Sequence, residues 1–328
     1  MHPHPRVAFR QPPHFRIYEC PNHLMPYARR KYGLSRAGRR TKRSASSYRR
    51  SSYATRPRYR TTKKTYRPRM TRRKTLNITS RKKRDEMLPY FKNGASASGA
   101  SGPANITATT GGLFLWCATA RDLTTAAGGA TGTVSQQAAR TATRTYMRGL
   151  SESIEVQTST GIPWQWRRIC FTKKASLGLT APYELETAAG QQRVLYNLSS
   201  GQSSDTTDRG SLYGLIFNGT YGIDWTEPLV AKTDRNRITV MYDRTTMISS
   251  GNASGKLVKK KFWHGMNKTL VYDDDESGEA NVTSKYSTQG RQGMGDYFIV
   301  DILVSGLGGG SSDALVFSPC ATLYWHER

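Results

Sequence analysis

The composition changes regime at about residue 75, and beyond it the chain is built of short apolar, β-prone runs divided by clusters of Gly, Ser, Thr, Asn and Asp. Ten runs stand out: 112–118 (GLFLWCA), 153–158 (SIEVQT), 164–173 (WQWRRICFTK), 193–198 (RVLYNL), 212–217 (LYGLIF), 237–242 (RITVMY), 256–264 (KLVKKKFWH), 267–272 (NKTLVY), 296–304 (DYFIVDILV) and 314–325 (ALVFSPCATLYW). Several alternate strictly. Ile154 and Val156 are interleaved with Ser153, Glu155 and Gln157, and Ile238 and Val240 with Arg237 and Thr239. A period of two predicts strands with one face on a core and the other toward solvent or a neighbour. Spacers such as SGNASG (250–255) and GLGGGSS (306–312) suit turns. The one helix expected is 135–148 (SQQAARTATRTYMR), although its apolar stripe is poor. Many strands with turn signals and scarcely any helix predict an all-β sandwich or barrel.

Charge divides the chain in two. Residues 1–84 hold 27 of the 50 Lys and Arg and one acid, Glu19, giving 27 − 1 = +26. Residues 85–328 hold 23 Lys and Arg against 22 Asp and Glu, giving 23 − 22 = +1. A neutral body carrying a polycationic arm points to a polyanionic partner rather than to general solubility. The body is long enough to bury a substantial core as one domain.

The arm is densest over residues 29–74, where 15 Arg, 5 Lys and 5 Tyr occur without any Asp or Glu. Such a stretch cannot bury enough apolar surface to offset its ordering entropy, so disorder in the free chain is expected. Its cations include Arg29, Arg30, Lys31, Arg39, Arg40, Lys42, Arg43, Arg49, Arg50, Arg56, Arg58 and Arg60. Lys63, Lys64, Arg67, Arg69, Arg72, Arg73 and Lys74 continue the series. Lys and Arg neutralise phosphates and release counterions, which gives tight, salt-sensitive and sequence-indifferent binding. The excess of Arg suits bidentate phosphate contacts. Tyr32, Tyr48, Tyr53, Tyr59 and Tyr66 are interleaved with these cations and can stack on unpaired bases, which tilts the expected partner toward single strands. Arg39, Arg40, Lys42 and Arg43, and the later Arg81, Lys82, Lys83 and Arg84, also fit the loose pattern of a nuclear-import signal.

Catalytic signatures are scarce. The loop GLGGGSS lacks the Gly-Lys-Ser/Thr ending of a phosphate loop. Of six His, only His264 and His326 belong to the body, and neither has a nucleophile or metal ligand beside it in sequence. No enzyme activity, cofactor or functional metal is expected. Cys20, Cys117, Cys170 and Cys320 are too widely spaced for a Cys-x-x-Cys pair and read as free thiols. His14, Cys20 and His23 make only a weak zinc pattern. The acidic run Asp273, Asp274, Asp275 and Glu276 reads as a solvated loop before it reads as a cation site. Trp164, Trp166, Trp225, Trp263 and Trp325 are expected as core or interface anchors, with base stacking the alternative. No run approaches the roughly 18 apolar residues of a membrane span, and MHPHPRVAFRQPPHF lacks the apolar segment of a secretory signal. A soluble, intracellular chain is expected, without membrane partners.

Order along the second half adds a resemblance. The succession RNRITVMYDRT (235–245), GKLVKKKFWHGMNKTLVYDDDESG (255–278), GDYFIVDILVS (295–305) and SPCATLYWHE (318–327) resembles the last four strands of geminivirus coat proteins. There too a basic-aromatic strand precedes an acidic or Asn-rich loop, an apolar strand follows, and the chain ends on an aromatic-rich Ala-Thr-Leu strand. ITSRKKRDEMLP (78–89), RGLSESIEVQTSTGIPWQWRRICF (148–171) and TVMYDRTTMISS (239–250) are more similar still to genomoviruses, gemycircularvirus-like relatives of the geminiviruses associated with fungi. The resemblance covers most of 29–328. It implies a capsid protein: an eight-stranded jelly roll that assembles with copies of itself into an icosahedral or geminate shell around a circular single-stranded DNA genome. The arm would face inward, the locations would be virion and host nucleus, and host import receptors would be further partners. About 60 chains with an arm of +26 carry on the order of 1,500 positive charges, the scale of a genome of a few thousand nucleotides. The resemblance divides the chain into an extension at 1–28, a DNA-binding arm at 29–75 and the jelly-roll domain at 76–328. The extension departs from the family, and Met25, followed by PYARRKY, is an alternative start of translation. Without the resemblance, the same arm and body fit a non-viral nucleic-acid-binding protein associated with chromatin or ribosomes.

Overall fold

Alternation sets the longest strands. Along Ala314–Glu327 every second residue from Leu315 to Glu327 is buried while its neighbours stay half exposed, which places one face of the strand on a core. The computed structural model describes residues 70–125 and 129–328, and all of them belong to one unit, Arg67–Arg328. In chain order they form helix α1 (Arg72–Thr79) and strands β1 (Arg81–Met87), β2 (Pro89–Lys92), β3 (Ala100–Ser101), β4 (Ala104–Thr107) and β5 (Gly112–Cys117). Next come β6 (Arg144–Thr158), β7 (Trp164–Lys173), β8 (Glu186–Thr187), β9 (Gly190–Gln191), β10 (Arg193–Tyr196) and helix α2 (Ser203–Ile216). The chain closes with β11 (Thr239–Ile248), β12 (Leu257–Val271), β13 (Asp275–Ser277), β14 (Ala280–Val282), β15 (Asp296–Ser305) and β16 (Ala314–Glu327).

Two antiparallel sheets dominate. One runs β1-β16-β6-β12, with β4 pairing the first residues of β16. The other runs β11-β7-β15-β5. Their inner faces share a core. Leu323 and Trp325 of β16 and Leu150 of β6 lie in one buried cluster with Phe171 of β7 and Val300 of β15. Phe317 and Val156 meet Trp164, Trp166 and Phe114 in a second. The Trp166 ring stands edge-on to Phe317 at 5.5 Å and to Phe262 at 5.8 Å, an arrangement the ring quadrupoles favour. The chain is therefore all-β in its body, as its alternation predicts.

Several sequence expectations shift. Residues 135–148 form no helix. From Arg144 the chain enters β6, because Thr145 and Met147 are buried while Arg144, Tyr146 and Arg148 are exposed, a period of two that overrides the weak helical stripe. The run 212–217 is not a strand: residues 212–216 complete α2, where Leu212, Tyr213 and Ile216 make the buried stripe of a helix. Asp208 of α2 is also buried and accepts from the Thr180 and Ala181 amides. The runs 256–264 and 267–272 merge into β12 across a bulge between Gly265 and Lys268, where Asn267 takes a positive φ of 50°. The change of regime expected at residue 75 falls inside α1, whose Thr71 cap accepts from the Lys74 amide at 3.3 Å.

Candidate nucleic-acid interface

The predicted phosphate-binding residues from Arg29 to Arg69, with Tyr48, Tyr53, Tyr59 and Tyr66, lie outside the described residues. So do the nuclear-import cluster Arg39–Arg43 and the group His14, Cys20 and His23. Arg72, Arg73 and Lys74 form the first turn of α1, which contains no acid. The exposed Arg72 and Lys74 cations oppose the helix dipole there, by up to about 1 kcal/mol each.

The second basic cluster is built into the sheet. Arg81, Lys82, Lys83 and Arg84 open β1, which pairs in register with the end of β16. Parity then separates the four. Arg81, Lys82 and Arg84 are exposed, whereas Lys83 points inward and is buried. The Lys83 ammonium lies 3.1 Å from Glu327 Oε2 and donates to the Ala139 carbonyl at 2.7 Å and to Thr141 Oγ1 at 3.0 Å. Glu327 also accepts from Trp325 Nε1 at 2.7 Å and from Thr141 Oγ1 at 2.6 Å. Burial pushes the Glu327 carboxyl up, but the hydrogen bonds from Thr141, Trp325 and Lys83 outweigh it and hold the group below its ordinary value. Lys83 is thus a lock between β1 and β16. Of the four cations expected to form an import signal, Arg81, Lys82 and Arg84 are thus open to solvent and Lys83 is not.

The loops beside this lock are held by arginines. Arg121 bridges to Asp85 at 3.1 Å and lies 4.7 Å over the Trp325 ring. Arg140 grips Asp274 through two bonds of 2.5 and 2.8 Å and stacks 3.8 Å from the Tyr272 ring centroid. Of the acidic run at 273–276, Asp274 is therefore engaged, while Asp275 and Glu276 are exposed in the β13–β14 hairpin. Arg167 on β7 holds Asp243 of β11 at 2.9 and 2.7 Å and donates to the Pro228 and Ala231 carbonyls.

A charge network that sequence reading missed sits between the sheets. Glu152 of β6, Arg168 of β7, Arg193 of β10 and Asp301 of β15 are all buried. Arg168 reaches Asp301 at 2.7 and 2.9 Å and Glu152 at 2.5 Å. Arg193 reaches Asp301 at 2.8 Å and Glu152 at 3.2 Å. Trp166 Nε1 adds a bond of 2.8 Å to Asp301. Two cations and two anions cancel, and their donors and acceptors are turned on one another. Burial pushes the Asp301 carboxyl up, but Arg168 and Arg193 hold it below the usual carboxylate value. Beside the network, burial pushes His264 down and favours its neutral form. Its Nε2 lies 3.8 Å from Glu152 and its Nδ1 4.0 Å from the Cys170 thiol. This arrangement fastens the two sheets together.

Among the described residues, no group of three or more His, Cys, Asp or Glu is placed to hold a metal, and no helix is long and apolar enough to cross a membrane. Cys117 and Cys170 are buried free thiols and Cys320 is half-buried. Trp164, Trp166 and Trp325 are core residues and Trp225 packs against the core, while Trp263 stands 54% exposed on β12. A search of family models and of curated proteins finds no match to this chain.

Proposed function

We propose that this protein is a viral capsid protein whose basic arm packages circular single-stranded DNA and whose β body builds the shell. The observation that carries the reading is the separation of charge, +26 over residues 1–84 against +1 over 85–328. A polycation of that density neutralises phosphates without reading sequence, as a genome-packaging arm must. The strand order supports the shell. Taken in chain order, β4, β5, β6, β7, β11, β12, β15 and β16 are eight strands. They are distributed first-eighth-third-sixth in one sheet and second-seventh-fourth-fifth in the other. That order supports the proposed jelly roll, a sandwich common in viral shells, which leaves its end loops and flanks for neighbouring subunits. Virion and host nucleus are the proposed locations.

The test compares the full chain with a chain lacking residues 29–69, a deletion that leaves α1 whole. Each is mixed with circular single-stranded DNA and treated with nuclease. The full chain is expected to protect the DNA, and the shortened chain to keep its thermal midpoint and lose protection. Equal protection by both chains overturns the role of the arm.

A further inference from the structure

The outer face of the β1-β16-β6-β12 sheet carries a pattern that the core does not explain. Register places Arg84 beside Tyr324, Tyr324 beside Gly149, and Gly149 beside Gly265. One step along, Lys82 lies beside His326, and His326 beside Tyr146. The indole of Trp263 reaches across this surface to within 5.8 Å of the Tyr324 ring. It can do so because residue 149 is glycine: a Cβ there would sit 2.8 Å from the indole and 2.7 Å from the His264 carbonyl. A second ring pair, Tyr146 and His326, lies 6.0 Å apart. His326 and Tyr324 are two residues apart on one strand, so the two ring pairs are separated by about 7 Å. Between and beyond them the floor is low: Thr322 opposes Ser151, and Cys320 opposes Ser153. Large rings in solvent cost free energy, yet Trp263 is 54% and Tyr146 40% exposed.

Charge on the same face is one-sided. Lys82, Arg84, Arg148 and Lys261 are exposed here. The acids of the face are Glu86 and Glu155, and Glu155 is bridged to Lys259 at 2.9 Å. His326 feels the field: burial pushes it down first, and the charges of Lys82 and Arg148 push it further, which favours a neutral ring suited to stacking. Rings interleaved with cations on an open sheet are the ingredients of single-strand recognition, in which bases stack on aromatic faces and phosphates meet cations. A duplex hides its base faces and would leave these rings unused.

We propose that this sheet face is a second contact for the single strand, with bases stacked on Trp263–Tyr324 and on Tyr146–His326 and phosphates held by Lys82 and Arg84. The inference rests on the nucleic-acid reading of the arm, and it gives the body its own share of the DNA. β1 supplies two of the cations and follows the arm directly in sequence.

The test uses the full chain. An oligothymidine carrying 5-bromouracil is photo-crosslinked to it and the joined peptides are mapped. Crosslinks at Trp263, Tyr324 or Tyr146, beside those in residues 29–74, are expected. Binding is then compared for the unmodified chain and the W263A/Y324A variant at high salt, where the phosphate contacts of the arm are weakened. The base-bearing strand should bind about tenfold more weakly to the variant, while an abasic strand of equal length binds both equally. Crosslinks confined to the arm, or equal loss for both strands, overturn the sheet-face contact and leave the arm reading intact. Absence of binding to either strand at low salt overturns both. The crosslink map needs no substitution, so the test survives a variant that fails to fold.

Discussion

Removing one carboxylate from the buried network should be among the most damaging single changes in the body. Asp301 accepts two hydrogen bonds from Arg168, one from Arg193 and one from Trp166. In Asp301→Asn the side chain keeps its shape but loses its charge, and its amide turns donors toward guanidinium groups. Arg168 and Arg193 then share Glu152 alone, and the interior carries an uncompensated positive charge. Breaking a buried pair in this way costs about 3–5 kcal/mol, a large share of the roughly 5–15 kcal/mol that holds a typical domain. Urea unfolding of the unassembled chain, followed by tryptophan fluorescence, measures it. At a slope of about 3 kcal/mol per molar the midpoint should fall by between about 1 and 1.7 M. Adding Arg193→Met restores neutrality, and the double variant should recover part of the loss, so that the two changes couple rather than add. A cost below about 1 kcal/mol for Asp301→Asn, or strict additivity in the double variant, would refute the view that the four groups act as one unit. The same network sets a pH dependence. Because the folded Asp301 lies below its ordinary value, its contribution is present above the unfolded value near 4 and is lost as pH falls through the folded one.

Asp296 should act in the opposite sense. Burial pushes its carboxyl up to about 6, against hydrogen bonds from Ser287 and Thr119. The folded state thus holds a proton that the unfolded chain releases, and the contribution of this group to stability is greatest below about 4 and declines by roughly 3 kcal/mol as pH rises through 6. Thermal midpoints between pH 4 and 7 should show this decline, and Asp296→Asn should flatten it; an unchanged slope in that variant would assign the effect elsewhere. Lys83→Ala leaves Glu327 buried without its cation and should cost about 3 kcal/mol. Hydrogen exchange should then accelerate over β1 ahead of the rest of the sheet, and uniform protection would count against the lock. Binding to single-stranded DNA should weaken steeply with salt. If the 20 cations of residues 29–74 all engage phosphates, log K falls with log salt at a slope of about −14, and a flat response would contradict the counterion argument.

Much of the fold was legible because alternation is a local signal. Ile154 and Val156, or Ile238 and Val240, point to half-buried strands without knowledge of any partner. Where the signal was misread, a second requirement competed. In the run 212–217 the apolar residues look like a strand until the preceding turns are included, and Asp205 and Asp208, polar yet buried, hide the helix. β12 looked like two strands because its bulge at Asn267 interrupts the period. The buried network left traces: Glu152 shares the inward parity of Leu150, Ile154 and Val156, and Asp301 interrupts the apolar run of β15. Their partners lie up to 135 residues away, and no local pattern names them. Lys83 and the ring pairs are similar cases, since register across three strands decides which residues meet.

Electron cryo-microscopy of the full chain assembled with circular single-stranded DNA tests the central claim most directly. Closed shells of repeated two-sheet bodies are expected, with nucleic-acid density inside against the outer face of the β1-β16-β6-β12 sheet. Discrete monomers, or DNA coated irregularly without closed symmetry, would contradict it.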